Sequence, residues 1–207
     1  MSLAILDMNV QHPNIRHLTL ADYHTKPWKN GKGLTQDILL LPEGADHANF
    51  DLRFALSPIV EDGLFSAFNG VDRVITMIEG NALELEFGPT CSRIELFGSL
   101  RFDTGVAPMG RPIGGPVRVI NVMARRGIWD IADCKITTAL NMTLKDADLL
   151  FIHAISNGCI VRIGTTSVVL ELSDTAVVSG AFEVKSNGSG QCLVVHIKPL
   201  PRTSQSA

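Results

Sequence analysis

The sequence predicts an all-β protein built as a duplicated antiparallel double barrel of the jelly-roll kind. Three observations carry this. Eighteen Gly and ten Pro punctuate short apolar runs, with few helix-period patterns. Strand-like alternation recurs, with Leu52, Phe54 and Leu56 against Arg53 and Ala55, and with Leu83, Leu85 and Phe87 against Glu84 and Glu86. An internal repeat matches VITMIEGNALELEFGPTCSRIELFGSLRFDTG to LFIHAISNGCIVRIGTTSVVLELSDTAVVSG. Gly80 aligns with Gly158 and Gly105 with Gly180, and the second offset is three residues shorter. The difference is assigned to the hairpin at Gly88-Pro89-Thr90. Each copy reads strand, Gly turn, strand, turn, strand, Gly, which suggests two small barrels packed together. A single large sandwich is the alternative.

In chain order, residues 15–23 read as a strand and turn, and residues 27–33 as a loop of turn formers. Residues 35–41 and 52–56 are strands. Residues 61–80, EDGLFSAFNGVDRVITMIEG, hold the turn pairs Asp62-Gly63 and Asn69-Gly70 and the rings Phe65 and Phe68 ahead of a β-branched run. A folded-back loop of that content on a rigid sheet is a natural place for a binding site. Strands follow at 82–87, 93–97 and 117–126, with a Gly/Pro-rich connection at 108–116. Further strands are expected at 136–140, 149–155, 159–163, 168–172, 175–178 and 193–197, and a flexible loop at 187–190. The expected organisation is an N-terminal half over 1–127, a C-terminal half over 128–200 and a disordered tail at 201–207.

At 207 residues the chain is long enough to bury roughly 70% of its unfolded surface. A net charge of −3 and a pI near 6.0 give no general attraction to nucleic acid or to an anionic membrane. No apolar run approaches the length of a spanning helix, and the start lacks the basic region of a secretory signal. Cys91, Cys134, Cys159 and Cys192 form no C-x-x-C pair and read as reduced small hydrophobes.

The chemistry on offer is narrow. Six histidines include no His-x-His, so no three imidazoles are set to converge on a metal, and no cofactor is expected. His153 and His196 stand alone in apolar strands and read as satisfied histidines. Residues 30–35 lack phosphate-loop spacing, residues 110–115 are not a dinucleotide fingerprint, and no G-x-S-x-G elbow is present. What remains is polar. Alternation puts Asn121, Met123 and Arg125 on one face of residues 117–126, a face that either lines a lumen able to accept a carboxylate or is solvated. Arg73 points at the same pocket or pairs with Asp62 or Asp72. Trp28 is a pocket wall or a rim residue.

These stretches resemble a known family. Trp28-Lys29-Asn30-Gly31-Lys32-Gly33-Leu34-Thr35 is similar to the W-x-N-G-x-G-x-T signature of the HutD/Ves family. Residues 62–73 resemble its D-G-x-F-S-x-F-x-G-x-D-R, and residues 121–127 its N-x-M-x-R-R-G. The chain departs from the family's usual residues at Leu52, Leu64 and Val119. The resemblance implies a cupin-like (bicupin) double barrel without a bound metal, in a cytoplasmic bacterial protein linked to histidine utilisation or stress response. It implies no established reaction. It points instead to binding of a pathway metabolite such as urocanate or a formylated glutamate derivative. The positions carried over are Trp28, Asn30, Gly31, Arg53, Phe65, Ser66, Asp72, Arg73, Asn121, Met123, Arg125 and Arg126. They supply an aromatic wall, anion-binding arginines and amide donors, a set suited to a small carboxylate. The expected partner is a small anionic metabolite, with neither nucleic acid nor membrane, and a homodimer is left open. Two further readings stand beside this binder: a metal-free lyase or isomerase with Asp72 as base positioned by Arg73, and a structural module with a vestigial pocket.

Overall fold

The computed structural model describes residues 15–27 and 34–201. Strand β1 (Ile15–Leu18) and a 3₁₀ turn at Leu20–Asp22 are followed by β2 (His24–Pro27), β3 (Leu34–Leu41), β4 (Leu52–Ile59) and the short β5 (Gly63–Leu64). Next come β6 (Val71–Glu79), β7 (Ala82–Phe87), β8 (Thr90–Glu95), β9 (Ser99–Asp103), β10 (Met109–Ile113) and β11 (Val117–Arg125). The remainder is β12 (Trp129–Thr137), β13 (Leu140–Thr143), β14 (Leu149–Ala154), β15 (Cys159–Ile163), β16 (Thr166–Leu170), β17 (Thr175–Ser179), β18 (Glu183–Gly188) and β19 (Cys192–Pro199). Among the described residues, no helix is long and apolar enough to cross a membrane.

The chain divides into two compact units. One is Tyr23–Trp129; the other takes Asp130 onward together with strand β1. Ile15 pairs with Val178 and Leu18 with Thr175, so the first strand belongs to the sheet of the later unit. The Tyr23–Trp129 unit has sheets ordered β2-β3-β4-β11-β6-β9 and β5-β10-β7-β8. The other has β1-β17-β14-β19-β12 and β13-β18-β15-β16. Raise each index by eight, and β9-β6-β11-β4 becomes β17-β14-β19-β12, while β5-β10-β7-β8 becomes β13-β18-β15-β16. The same antiparallel jelly roll is therefore written twice in this all-β chain. Gly80 and Gly158 sit at equivalent turns with φ of 104° and 90°, a conformation a side chain resists.

Each unit buries its own core between its two sheets. In the Tyr23–Trp129 unit, Ile75, Met77 and Val119 of one sheet meet Leu83, Leu85 and Ile94 of the other. In the second unit, Leu150, Ile152 and Val194 meet Val161, Leu170 and Val184, with Cys159 and Cys192 in the same cluster. His153 Nδ1 lies 2.9 Å from Thr175 Oγ1, and His196 Nε2 lies 2.8 Å from Asp148 Oδ2, so both strand histidines are satisfied.

Several element boundaries differ from the sequence reading. The Gly/Pro-rich stretch at 108–116 contains strand β10. Its Pro112 lies beyond the reach of β5, which pairs only Met109 and Gly110, so the missing amide falls on an edge position. The expected flexible loop at 187–190 begins inside β18, where Asn187 pairs with Ile160 and Gly188 with Cys159. The strand expected at 136–140 is the end of β12 and the start of β13, separated by a turn in which the Thr137 hydroxyl donates to the Ala139 carbonyl at 2.7 Å. The repeat's length difference is not a shortened loop: the β7–β8 and β15–β16 hairpins both turn in two residues, and the strands themselves are shorter in the second copy. The loop at 28–33 and the tail at 202–207 lie outside the described residues.

A methyl group added at Gly80 would sit 2.7 Å from Val117 Cγ1 and 2.9 Å from the Pro116 carbonyl oxygen. Gly80→Ala is expected to cost about 3 kcal/mol, read as a lower urea midpoint. Gly88→Ala, at a φ of 60° with open space around it, is the control and is expected to cost about 1 kcal/mol.

Candidate functional site

The interior of the Tyr23–Trp129 unit holds a cavity of about 800 Å³. Its floor is set by strand register. Met123 on β11 lies opposite Arg53 on β4 and Arg73 on β6, and Arg73 lies opposite Phe102 on β9. One row thus reads Arg53, Met123, Arg73, Phe102 across four neighbouring strands. The next row on the same face carries Ala55, Asn121 and Ile75, and the one beyond it Ser57, Val119 and Met77. Residues 61–69 cover this floor, with Glu61, Phe65, Ser66 and Phe68 among the lining residues. The Phe65 amide donates to the Pro108 carbonyl at 2.9 Å and the Phe68 amide to the Thr104 carbonyl at 3.0 Å. The buried Thr104 hydroxyl lies 2.7 Å from the Phe68 carbonyl oxygen and clamps the loop end.

The two arginines of the row have different fates. Arg53 Nε donates to Asp37 Oδ1 at 2.7 Å, and both side chains are buried. Asp37 is only 1% exposed and also receives His47 Nε2 at 2.8 Å from Oδ2. Burial by itself would raise the Asp37 carboxyl, but the His47 hydrogen bond and the Arg53 charge outweigh it and hold the group below the usual carboxylate range. Arg53 is therefore neutralised in place.

Arg73 is not. It is 5% exposed, and among the described residues it meets no carboxylate. Its guanidinium lies 5.5, 5.9 and 5.5 Å from the rings of Phe65, Phe68 and Phe102. A long 3.4 Å hydrogen bond reaches the Ser66 carbonyl, and Nε is buried with no partner among the described residues. Burial, and then the neighbouring Arg53 charge, push its ionisation down to about 9. Ring faces attract a cation but do not replace a counter-ion. Asn121 Oδ1 is buried in the same cavity wall and also has no partner among the described residues.

Of the sequence-predicted residues, the structure brings together Arg53, Phe65, Ser66, Arg73, Asn121 and Met123 around one cavity. Trp28, Asn30 and Gly31 lie outside the described residues. Asp72 is not part of the lining: its neighbour Arg73 points inward, so strand alternation turns Asp72 out to Arg126 Nε at 2.7 Å and Arg101 at 3.4 Å. Arg126 also pairs with Asp103, so it knits β6 to β9 on the outer surface. Arg125 shares a face with Asn121 and Met123 but stands past the end of the cavity. Its Nη2 donates to the Phe50 carbonyl at 2.7 Å and its Nε lies 3.1 Å from Asp51 Oδ1. The sequence reading missed Asp37 and His47. A lone aspartate inside the apolar run of β3 was the available signal for the first. A β-bulge between Asp37 and Leu39 and a ten-residue separation hide the second.

The donor set does not fit a metal ion. Among the described residues, no three His, Cys, Asp or Glu side chains are grouped to hold one, and the cavity floor presents cations instead.

Fold and site together define a two-barrel, cupin-like protein with a cationic cavity in one barrel. The chain belongs to the HutD/Ves family: the HutD family model matches residues 20–195. An uncharacterised 21.2 kDa protein encoded in the hutC 3′ region of Pseudomonas putida is 34% identical over 108 residues, 51% of this chain and 56% of that protein. The chain thus matches about half the length of that relative. Protein Ves of Escherichia fergusonii is 25% identical over 141 residues, covering 54% of this chain and 73% of that one. The solved structure of HutD from Pseudomonas fluorescens SBW25 superposes with a TM-score of 0.77 at 23% identity, over 90% of this chain and 100% of that one. Oxalate decarboxylase from Bacillus subtilis shares the fold at a TM-score of 0.58 and 7% identity, over 89% of this chain and 77% of that one.

Replacing Arg73 by Met keeps the stem and removes the uncompensated charge. The unliganded variant is expected to melt roughly 5 °C higher than the native protein: even a buried ion pair exchanged for fitted apolar groups can gain about 1–4 kcal/mol, and Arg73 has no carboxylate among the described residues to offset its desolvation. The sign with pH follows from the lowered ionisation of Arg73. The charged form is disfavoured in the fold, so the gap is full below about 9 and closes as pH rises past it. Thermal melts of both proteins across that range check it; a variant that melts lower at neutral pH would contradict it.

Proposed function

We propose that the cavity of the Tyr23–Trp129 unit binds a small carboxylate metabolite, and that the protein acts by holding this ligand as a regulator. The observation that carries this reading is Arg73: a buried guanidinium whose Nε has no partner among the described residues, walled by three phenyl rings, beside an arginine that already has its carboxylate. A ligand carboxylate supplies the missing counter-charge through the planar fork of the guanidinium. The rings supply apolar contact for the rest of the molecule. The cost of leaving Arg73 unpaired in the free protein becomes binding energy when the anion arrives. The hutC-region location of the Pseudomonas putida relative supports, for this chain, a link to histidine utilisation. The cation-lined floor supports action without a metal ion.

Calorimetric titration with imidazole-containing and glutamate-type acids tests the reading. Arg73→Ala is expected to weaken binding at least about 30-fold, the loss typical when one member of a buried charge pair is removed. Arg125→Ala is expected to leave affinity within about threefold, because its partners are Phe50 and Asp51. Equal binding by Arg73→Ala and the native protein would remove the proposal.

A further inference from the structure

His47, held by Asp37, is a polar group of the cavity lining that an Arg73-bound carboxylate does not use; the buried Asn121 Oδ1 is another, on β11. His47 lines the cavity from the loop between β3 and β4. An Asx turn sets it there: Asp46 Oδ1 accepts the Ala48 amide at 2.8 Å, and the Asp46 amide donates to Asn49 Oδ1 at 2.7 Å. The imidazole Nε2 is committed to Asp37 Oδ2 at 2.8 Å. Asp37 also takes the Arg53 guanidinium on its other oxygen, so it is an ionised acceptor with no proton to give. Nε2 must therefore carry the hydrogen, which leaves the neutral ring with its lone pair on Nδ1. Nδ1 has no hydrogen-bond partner among the described residues and is not sealed off. The arrangement lies on the β3–β4 side of the floor, whereas Arg73 lies on β6 beyond Met123. Arg53 and Arg73 are two strand spacings apart, roughly 10 Å between backbones.

We propose that His47 is a second recognition group of this site, presenting an Nδ1 acceptor fixed by Asp37, so that the cavity selects carboxylic acids whose far end donates a hydrogen bond. The proposal rests on the Arg73 reading for the near end of the ligand and adds a requirement at the other end. A hydroxyl or N–H there meets a lone pair, whereas a second carboxylate meets one acceptor with another. Lys26 and Glu61 also line the cavity, and Lys26 is the charged group that would favour a diacid instead.

Three matched probes separate the claims: 3-phenylpropanoate, its 4-hydroxyphenyl analogue and its 4-carboxyphenyl analogue, titrated into the native protein and into His47→Phe at mildly alkaline pH. The phenyl parent engages Arg73 without a far-end donor and sets the baseline affinity of each protein, against which the other two probes are compared. The hydroxyl analogue is expected to bind the native protein about 5–10-fold more tightly than the parent, as one added hydrogen bond gives, and to lose that gain in His47→Phe. In ¹⁵N spectra, the unprotonated Nδ1 resonance of His47 is expected to move with the hydroxyl analogue and stay with the parent. A parent that binds with no hydroxyl gain, or a gain that survives in His47→Phe, overturns the His47 proposal and leaves the Arg73 reading standing. A diacid that binds most tightly hands the far end to Lys26 and also overturns it. Failure of all three probes to bind overturns both readings.

Discussion

An arginine held inside a barrel with no carboxylate partner among the described residues is the constraint on which the rest of this site depends. Arg53 and Arg73 flank the same methionine in one cross-strand row, and two like charges at that separation could not both stay buried unaided. Asp37 resolves half the problem by saturating Arg53, and in doing so it fixes His47 as well. Arg73 keeps its charge among three aromatic rings that soften its desolvation without neutralising it. The fold thus carries an unfavourable charge with no counter-ion among the described residues. On the binding reading proposed above, an incoming anion relieves it, and stability and binding are then opposed at this one residue.

Duplication makes the contrast sharper. The two units share one strand order, so nothing about topology requires a cavity in one of them. Facing positions on β14 and β19 carry Ile152 with Val194 and Ala154 with Cys192, and these pack into a continuous apolar core. Facing positions on β6 and β11 carry Arg73 with Met123 and Ile75 with Asn121. The difference between the apolar cluster of one unit and the cationic cavity of the other lies in a few side chains on equivalent strands. The loop over 61–69, pinned by Thr104, then covers the cavity floor with rings.

The outward face of the same motifs serves the fold. Asp72, Arg101, Asp103 and Arg126 form an exposed charge network across β6 and β9, and Arg125 ties the end of β11 to the loop before β4. Family-matching residues at adjacent positions therefore divide between cavity and scaffold. Only some of them, Arg53, Phe65, Ser66, Arg73, Asn121 and Met123, line the cavity.

The sequence by itself determined the all-β class, the duplication and the family, because period-two alternation, turn glycines and three ordered motifs are local signals. It also showed that Asn121 and Met123 share a face, since pleating dictates it. Alternation says which side a residue faces, but not how far along the strand a cavity runs; Arg125 stands on the right face and beyond the edge. Strand β10 was concealed because Pro112 is tolerated only at an edge position, and an edge is a property of the sheet. The pairing of Asp37 with Arg53 and His47, and the want of a carboxylate beside Arg73 among the described residues, were decided by tertiary structure alone. Whether a buried charge has a partner depends on which distant strands and loops the fold brings beside it.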